Sequence, residues 1–458
     1  MMIIETGNET QLNIEGSFVY STLISMVAAL GSVMFGFDIA IISGAAPFVQ
    51  IHFGLNELQL GWGVSSLIIG CMIGTLVAGR LADRFGRKRT LICIALIFAF
   101  TSVMTAMAPV FYLFVIARIL GGLAVGAASM VAPLYIAEAS PYAIRGRMVA
   151  LNQLGITFGI LVSYLINYML RDIGPNNWRW MFATGALPSV AFFVLLFLVP
   201  ESPRWLFLSG RFAEAQAILV RIGGTESARH ELFTMHKPDD RAAAKPKELL
   251  QPKNKRVLLI GILLAVLCQT TGINTIIDYA PIILKSAGSS LSSAMFQTFV
   301  IGVVNFLCTF VAVLFVDKLG RRLLYIWGSS GMALALILIT MGFVTGKTSG
   351  VLGLASILLF IASFAACIGP VYWILMAEMF PNRIRGLAMS IAVFATWFSN
   401  FFVVLLFPWL LKNLGGGVTF GMIAVMAVGM IFVAWKLVPE TSGKTLEEIE
   451  DYWAAFAD

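Results

Sequence analysis

Apolar residues gather into twelve runs, at 18–48, 59–79, 90–108, 111–137, 146–170, 179–199, 257–284, 293–316, 322–344, 351–379, 386–411 and 418–438. A helix rising ~1.5 Å per residue needs roughly 20 residues to cross ~30 Å of hydrocarbon, so each run is long enough to span a membrane. Polar residues between the runs are few except at 201–256 and 439–458. The pattern predicts an all-α membrane protein with six spans on either side of a polar connection. Its expected divisions are a bundle at 1–200, a linker at 201–256, a second bundle at 257–438 and a tail at 439–458. Within the linker, Pro203-Arg204-Trp205-Leu206 and the run 211–219 have amphipathic helical spacing. Residues 236–256 are rich in Lys, Pro and Asp and read as a looser connection. Lys444 to Ile449 reads as one more short amphipathic helix. Neither polar stretch is long enough for a catalytic or signalling domain.

The polar residues repeat. Gly79-Arg80-Leu81-Ala82-Asp83-Arg84-Phe85-Gly86-Arg87-Lys88-Arg89 returns as Val316-Asp317-Lys318-Leu319-Gly320-Arg321-Arg322, with 317 − 83 = 234 residues between the aspartates. Glu138 with Arg145-Gly146-Arg147 returns as Glu378 with Arg383-Ile384-Arg385-Gly386, and Pro200-Glu201-Ser202 returns as Pro439-Glu440-Thr441. Matched landmarks at nearly constant offset indicate a duplicated half, the architecture of secondary transporters. Asp83 and Asp317 are expected at helix starts, where the dipole favours a carboxylate and neighbouring guanidinium groups can bind it.

Composition supports the membrane reading. Hydrophobic residues form 59% of the 458 and charged residues 12%, about half the usual charged share of a soluble domain. Lys and Arg are concentrated in one set of loops, including Arg80, Arg84, Arg87, Arg145, Arg147, Lys318, Arg321, Arg383 and Arg385; Arg171, Arg179, Lys285, Lys347 and Lys412 serve the other. By the positive-inside rule the first set, both termini and 201–256 are expected in the cytoplasm of a cell-membrane protein. The net charge of +7 then needs no nucleic-acid partner. Residues 1–17 carry no basic n-region or small-residue cleavage site, so no cleavable signal is expected. The five cysteines all fall within apolar runs and read as small buried hydrophobes. His52, His230 and His236 fall in loops and build no metal cluster. No phosphate-binding glycine loop or nucleophile–base pair is evident, so neither an enzyme nor a cofactor is expected. Gly70 with Gly74, and Gly121-Gly122 with Gly126, are spaced for close helix packing in lipid.

With these residues in view, the chain resembles the sugar porter family of the major facilitator superfamily over essentially its whole length. The resemblance rests on Gly79–Arg89, Glu138 with Arg145-Gly146-Arg147, Pro200 to Leu206, Gln269 to Asn274, Asp317 to Arg322 and Pro439 to Lys444. It implies two pseudo-symmetric six-helix bundles, a central sugar site and alternating access by rocking. It also implies that Asp83, Arg84, Arg87, Glu138, Arg147, Asp317, Arg321, Glu378 and Arg385 form interhelical networks that latch the cytoplasmic side.

Two charges fall inside the runs. Asp38 and Arg118 lie at depths that differ by about 3 Å along their helices, so neighbouring helices would bring them together. An ionisable group in hydrocarbon costs at least ~2.5–3.5 kcal/mol and is a functional candidate by default. Two readings stand: a static ion pair, or a proton-coupling pair whose carboxylate changes proton affinity as the contact changes. The resemblance favours the second, because proton-coupled sugar porters carry Asp at this place and many facilitators carry Asn.

A monosaccharide offers hydroxyls to amides and an apolar face to indoles. Gln153, Gln269, Asn274, Asn305, Trp373, Trp397 and Asn400 lie inside five different runs, and each matches or adjoins a sugar-contact position of the family. Interhelical bonding is the alternative for each amide. Cys268, Ile160 and Thr396 stand where relatives can carry Gln, and Asp278-Tyr279 stands where two tyrosines usually line the outer gate. Asp278 is expected to be a water-exposed gate residue, with a gate hydrogen-bonder or a second titrating group as the alternative. The expected function is import of a monosaccharide with protons by a monomer in the bilayer, with a proton-independent facilitator of a sugar or cyclitol as the alternative. A membrane nutrient sensor would normally need a long output tail.

Overall fold

The computed structural model describes residues 16–141, 144–236, 248–249, 251–315, 320–346, 351–381, 384–441, 448–449 and 453. Among them are twelve helices long and apolar enough to cross a membrane, numbered here as spans 1 to 12: Val19–Phe53, Glu57–Phe85, Arg87–Met107, Phe111–Glu138, Arg145–Leu170, Asn177–Leu196, Asn254–Ser286, Leu291–Phe315, Arg321–Thr345, Leu352–Met376, Arg385–Asn413 and Gly415–Leu437. Spans 1–6 form one half and spans 7–12 the other. A short helix at Pro203–Leu208 and a longer helical stretch at Phe212–His236, broken at Gly224, follow span 6. The expected linker at 236–256 and tail helix at 444–449 fall largely outside the described residues.

Local chemistry sets the helix ends. Asn56 starts span 2 with a reciprocal capping box: its side chain accepts from Gln59 N, and the Gln59 side chain accepts from Asn56 N. Ser202 caps Pro203–Leu208 by accepting from Trp205 N at 3.2 Å. Between spans 2 and 4 the glycine spacing does what lipid packing requires. A Cβ on Gly122 would stand 2.0 Å from the carbonyl oxygen of Leu67, so only glycine lets the backbones meet there.

Prolines create backbone acceptors inside the bundle, and tyrosines fill them. Pro281 in span 7 cannot donate to the carbonyl of Ile277, and the Tyr164 hydroxyl of span 5 donates to that oxygen at 2.8 Å. Pro408 in span 11 likewise releases the carbonyl of Val404, which the Tyr279 hydroxyl reaches at 3.0 Å. Span 10 contains a π-helical turn at Phe364–Ile368, immediately before Gly369 and Pro370, a device common near functional sites.

The halves meet toward the face opposite the arginine-rich loops. Tyr164 bonds across the boundary, Lys412 Nζ pairs with Glu57 at 2.5 Å, and Trp62 packs edge-on to Phe401 at 6.1 Å. Tyr168 and Phe296 add a ring contact at 5.5 Å. A Cβ on Gly61 would stand 2.0 Å from the Leu405 carbonyl oxygen, so backbone lies against backbone in this seal.

Candidate functional site

The arginine-rich face carries two matching clusters. In the first half, Arg87 donates to Glu138 through Nε at 2.8 Å and Nη2 at 3.0 Å, and the Ser202 hydroxyl donates to the same carboxylate at 2.6 Å. Glu201 accepts from Lys88 N at 2.9 Å and thereby caps span 3. In the second half, Arg321 lies 3.8 Å from Glu378, Thr441 donates to Glu378 at 2.6 Å, and Glu440 accepts from Arg321 N at 2.9 Å and Arg322 N at 3.2 Å. A Cβ on Gly86 or Gly320 would stand 2.3 Å or 2.5 Å from the capping glutamate, which explains the repeated glycine. Each of these bonds stays within one half, so in this conformation they brace helices and do not bridge the halves.

Several expectations for this network are corrected. Asp83 sits in the last turn of span 2, with its side chain 72% exposed and 3.1 Å from Arg87; it starts no helix. The helix runs past the expected boundary at 79 and stops only at Gly86, whose φ of 97° a side chain would resist. The carboxylates at helix starts are Glu201 and Glu440, which the repeated Pro-Glu already marked. Arg147 is exposed, and Arg145 makes the salt bridge instead, to Glu231 of the helix Phe212–His236 at 2.6 Å. Arg84 is exposed and lies over the Phe85 ring. Arg385 donates to the carbonyl of Phe380 at 3.2 and 3.1 Å. Asp317 lies outside the described residues.

Deep in the first half, Arg118 Nη1 donates to Asp38 Oδ1 at 2.8 Å, with the residues 2% and 7% exposed. Span 4 thus presents its guanidinium to span 1, as the matched depths predicted. The Phe182 ring lies 5.5 Å from Arg118 Cζ. Asp38 Oδ2 and Arg118 Nε and Nη2 are buried without a hydrogen-bond partner among the described residues. One bond from a fork that can make two leaves the pair half-satisfied in a low-dielectric setting, where unpaired polar atoms are costly. Such a pair holds but is easily rearranged.

The expected sugar residues separate into groups. Asn274 Nδ2 donates to Gln269 Oε1 at 2.9 Å, so these two amides of span 7 form one unit. Gln153 is half-buried, with its amide near Gly369 of span 10 across the boundary. Trp373 is exposed beside Tyr372, and Trp397 is half-buried with Phe35 edge-on at 6.1 Å. Asn305 is buried in span 8. Asn400 is buried and lines a small cavity with Trp397 and Arg118. The replacements are apolar or internally satisfied: Cys268 and Ile160 join the apolar core, and the Thr396 hydroxyl meets that of Tyr372 at 2.7 Å.

Both expected gate residues of span 7 are buried. Tyr279 is fully enclosed and bonded to Val404, and Asp278 is 5% exposed. Asp278 is therefore no water-exposed gate residue here. With the halves closed at this face, residues of spans 1, 2, 4 and 11 line its surroundings. Tyr164 and Tyr279 were missed as structural groups, although Pro281 and Pro408 announced the free carbonyls that they bind.

Comparison with known proteins agrees with this geometry. The model of the family described as sugar (and other) transporter matches residues 24–453. The D-xylose-proton symporter of Escherichia coli (strain K12) is 38% identical, with 97% of each chain covered. The arabinose-proton symporter of Bacillus subtilis (strain 168) is also 38% identical, covering 95% of this chain and 96% of that one. The inward-open structure of the xylose transporter XylE from E. coli superposes with a TM-score of 0.84 at 37% identity, over 95% of this chain and 100% of the other. Duplicated charged motifs, twelve spans in two halves and full-length similarity converge: the chain belongs to the sugar transporter family and has the major facilitator fold.

Proposed function

We propose that this protein imports a monosaccharide, a pentose or hexose, together with protons across the cell membrane by alternating access. The observation that carries the reading is the buried, half-satisfied Asp38–Arg118 pair. Protonation of Asp38 removes its charge, weakens the hold of Arg118 and lets spans 1 and 4 readjust, which links proton occupancy to conformation. Relatives named as D-xylose-proton and arabinose-proton symporters support the substrate class.

The arginine-rich face, with both termini, is cytoplasmic. The bundles at 1–200 and 257–438 rock about the central site as a monomer in the bilayer, joined by 201–256. In the conformation described here the outer face is sealed by Glu57–Lys412, Tyr164–Ile277 and the Gly61–Leu405 contact. Gln153, Gln269, Asn274, Asn305 and Trp373 hold the sugar, with Trp397 and Asn400 connecting that site to Arg118. The test is uptake of labelled pentoses, hexoses and inositols into proton-tight vesicles containing the purified chain. A pH gradient drives uphill accumulation of one sugar; Asp38→Asn abolishes it while counterflow continues. Unchanged accumulation in Asp38→Asn sinks the coupling role, and failure to carry any of these compounds sinks the sugar assignment.

A further inference from the structure

Arg118 has a second carboxylate close by. A cavity of about 10 Å³, the room of roughly one water molecule, is lined by Arg118 of span 4, Cys71 of span 2, Asp278 of span 7, and Trp397 and Asn400 of span 11. It lies on the boundary between the halves. Arg118 is spent on Asp38 through Nη1 alone, and its Nε and Nη2 are buried without a partner among the described residues. Asp278 is 5% exposed and faces the same space. The titratable and charged groups around Asp278 are Arg118, with Asp38 behind it on span 1, Cys71 on span 2, Tyr164 on span 5 and Tyr279 beside it on span 7. Span 11 offers the uncharged Asn400.

We infer that Asp278 is a second proton-carrying carboxylate of the transport cycle, and that Arg118 is shared between Asp38 and Asp278 across the boundary between the halves. This rests on the symport reading above. One guanidinium cannot neutralise two carboxylates in so dry a place, and an uncompensated buried charge is expensive. One proton completes the balance. Because Arg118 holds Asp38, that proton resides on Asp278 in this conformation. In the transfer step the Asp278 O–H bond breaks and an O–H bond forms on Asp38, with one water molecule admitted between them accepting the first proton as it gives up another. Arg118 turns to the new carboxylate on span 7, and the cluster remains neutral throughout. The inter-half ion pair so formed exists only when Asp38 is protonated, which ties the proton to the boundary that must open and close.

The experiment uses the full chain in proton-tight vesicles with an imposed gradient of about one pH unit, worth a ratio of about ten-fold for one coupled proton. Wild type accumulates sugar. Asp278→Asn is expected to stay within about two-fold of equilibrium, with a flattened pH dependence of uptake, and Asp278→Glu to regain both. Infrared spectra of the purified protein should show a protonated-carboxyl band that Asp278→Asn removes; Asp38→Asn removes it too, because Arg118 is then free to pair with an ionised Asp278. If Asp278→Asn does not fold, the Asp278→Glu protein must shift that band. Wild-type accumulation and pH profile in Asp278→Asn, or a carboxyl band that neither variant removes or shifts, overturns the inference while leaving symport intact. Absence of proton-driven accumulation in wild type overturns the symport reading itself, and this inference with it.

Discussion

The charges at the edge of the membrane and the charges at its centre are built on opposite rules. At the arginine-rich face Glu138 is held by both nitrogens of the Arg87 fork and by Ser202, and the same residue types recur, more loosely joined, in the second half. At the centre Asp38 has one bond, Arg118 has spare donors, and among the described residues the buried carboxylate of the second half, Asp278, has no arginine of its own half hydrogen-bonded to it. Saturated networks fix geometry, whereas a half-satisfied buried pair has another arrangement within reach. The edge clusters therefore brace each half as a rigid unit, and the centre is where a bound proton can change the structure. The two edge clusters also differ from each other: Arg87–Glu138 closes at 2.8 Å with both side chains near 5% exposed, while Arg321–Glu378 stands at 3.8 Å with Glu378 at 29%.

This contrast can be broken by mutation. The largest effect is expected for Glu138→Ala, which leaves the buried Arg87 guanidinium with only the exposed Asp83 as an ionic partner; breaking such a buried pair costs about 3–5 kcal/mol, read as a lowered melting temperature of the purified protein. Glu378→Ala removes a longer, more solvated contact and should cost about 1–2 kcal/mol by the same measurement. Equal losses would show that the two clusters are equivalent in strength despite their geometry. The smallest effect belongs to Tyr164→Phe, which deletes one hydrogen bond across the seal between the halves without disturbing either cluster. It should cost about 1 kcal/mol or less and raise the accessibility of the backbone amides around Gly61 to hydrogen–deuterium exchange. Unchanged accessibility would remove Tyr164 from the seal.

Much of this was legible in the residues. The twelve spans follow from run length alone, and matched depth within neighbouring spans places Asp38 near Arg118. Asp83 shows where such reasoning fails. Its place beside Gly86 looked like a helix start, but the preceding helix extends through it, and the capping carboxylate comes from Glu201, 201 − 86 = 115 residues later. Arg147 and Arg145 are equally basic in the sequence; only the position of Glu231 chooses between them.

The chain by itself determined its spans, its duplication and its family, because lipid enforces run length and duplicated halves keep their charged landmarks. Tertiary structure alone decided which carboxylates cap which helices, that the halves close at the face opposite the arginine-rich loops, and that Asp278 lies buried beside the guanidinium that Asp38 already holds. The reason is physical. Crossing a membrane is a local demand on about 20 consecutive residues, whereas pairing a buried charge depends on which helices arrive together, and residues far apart in the chain decide that.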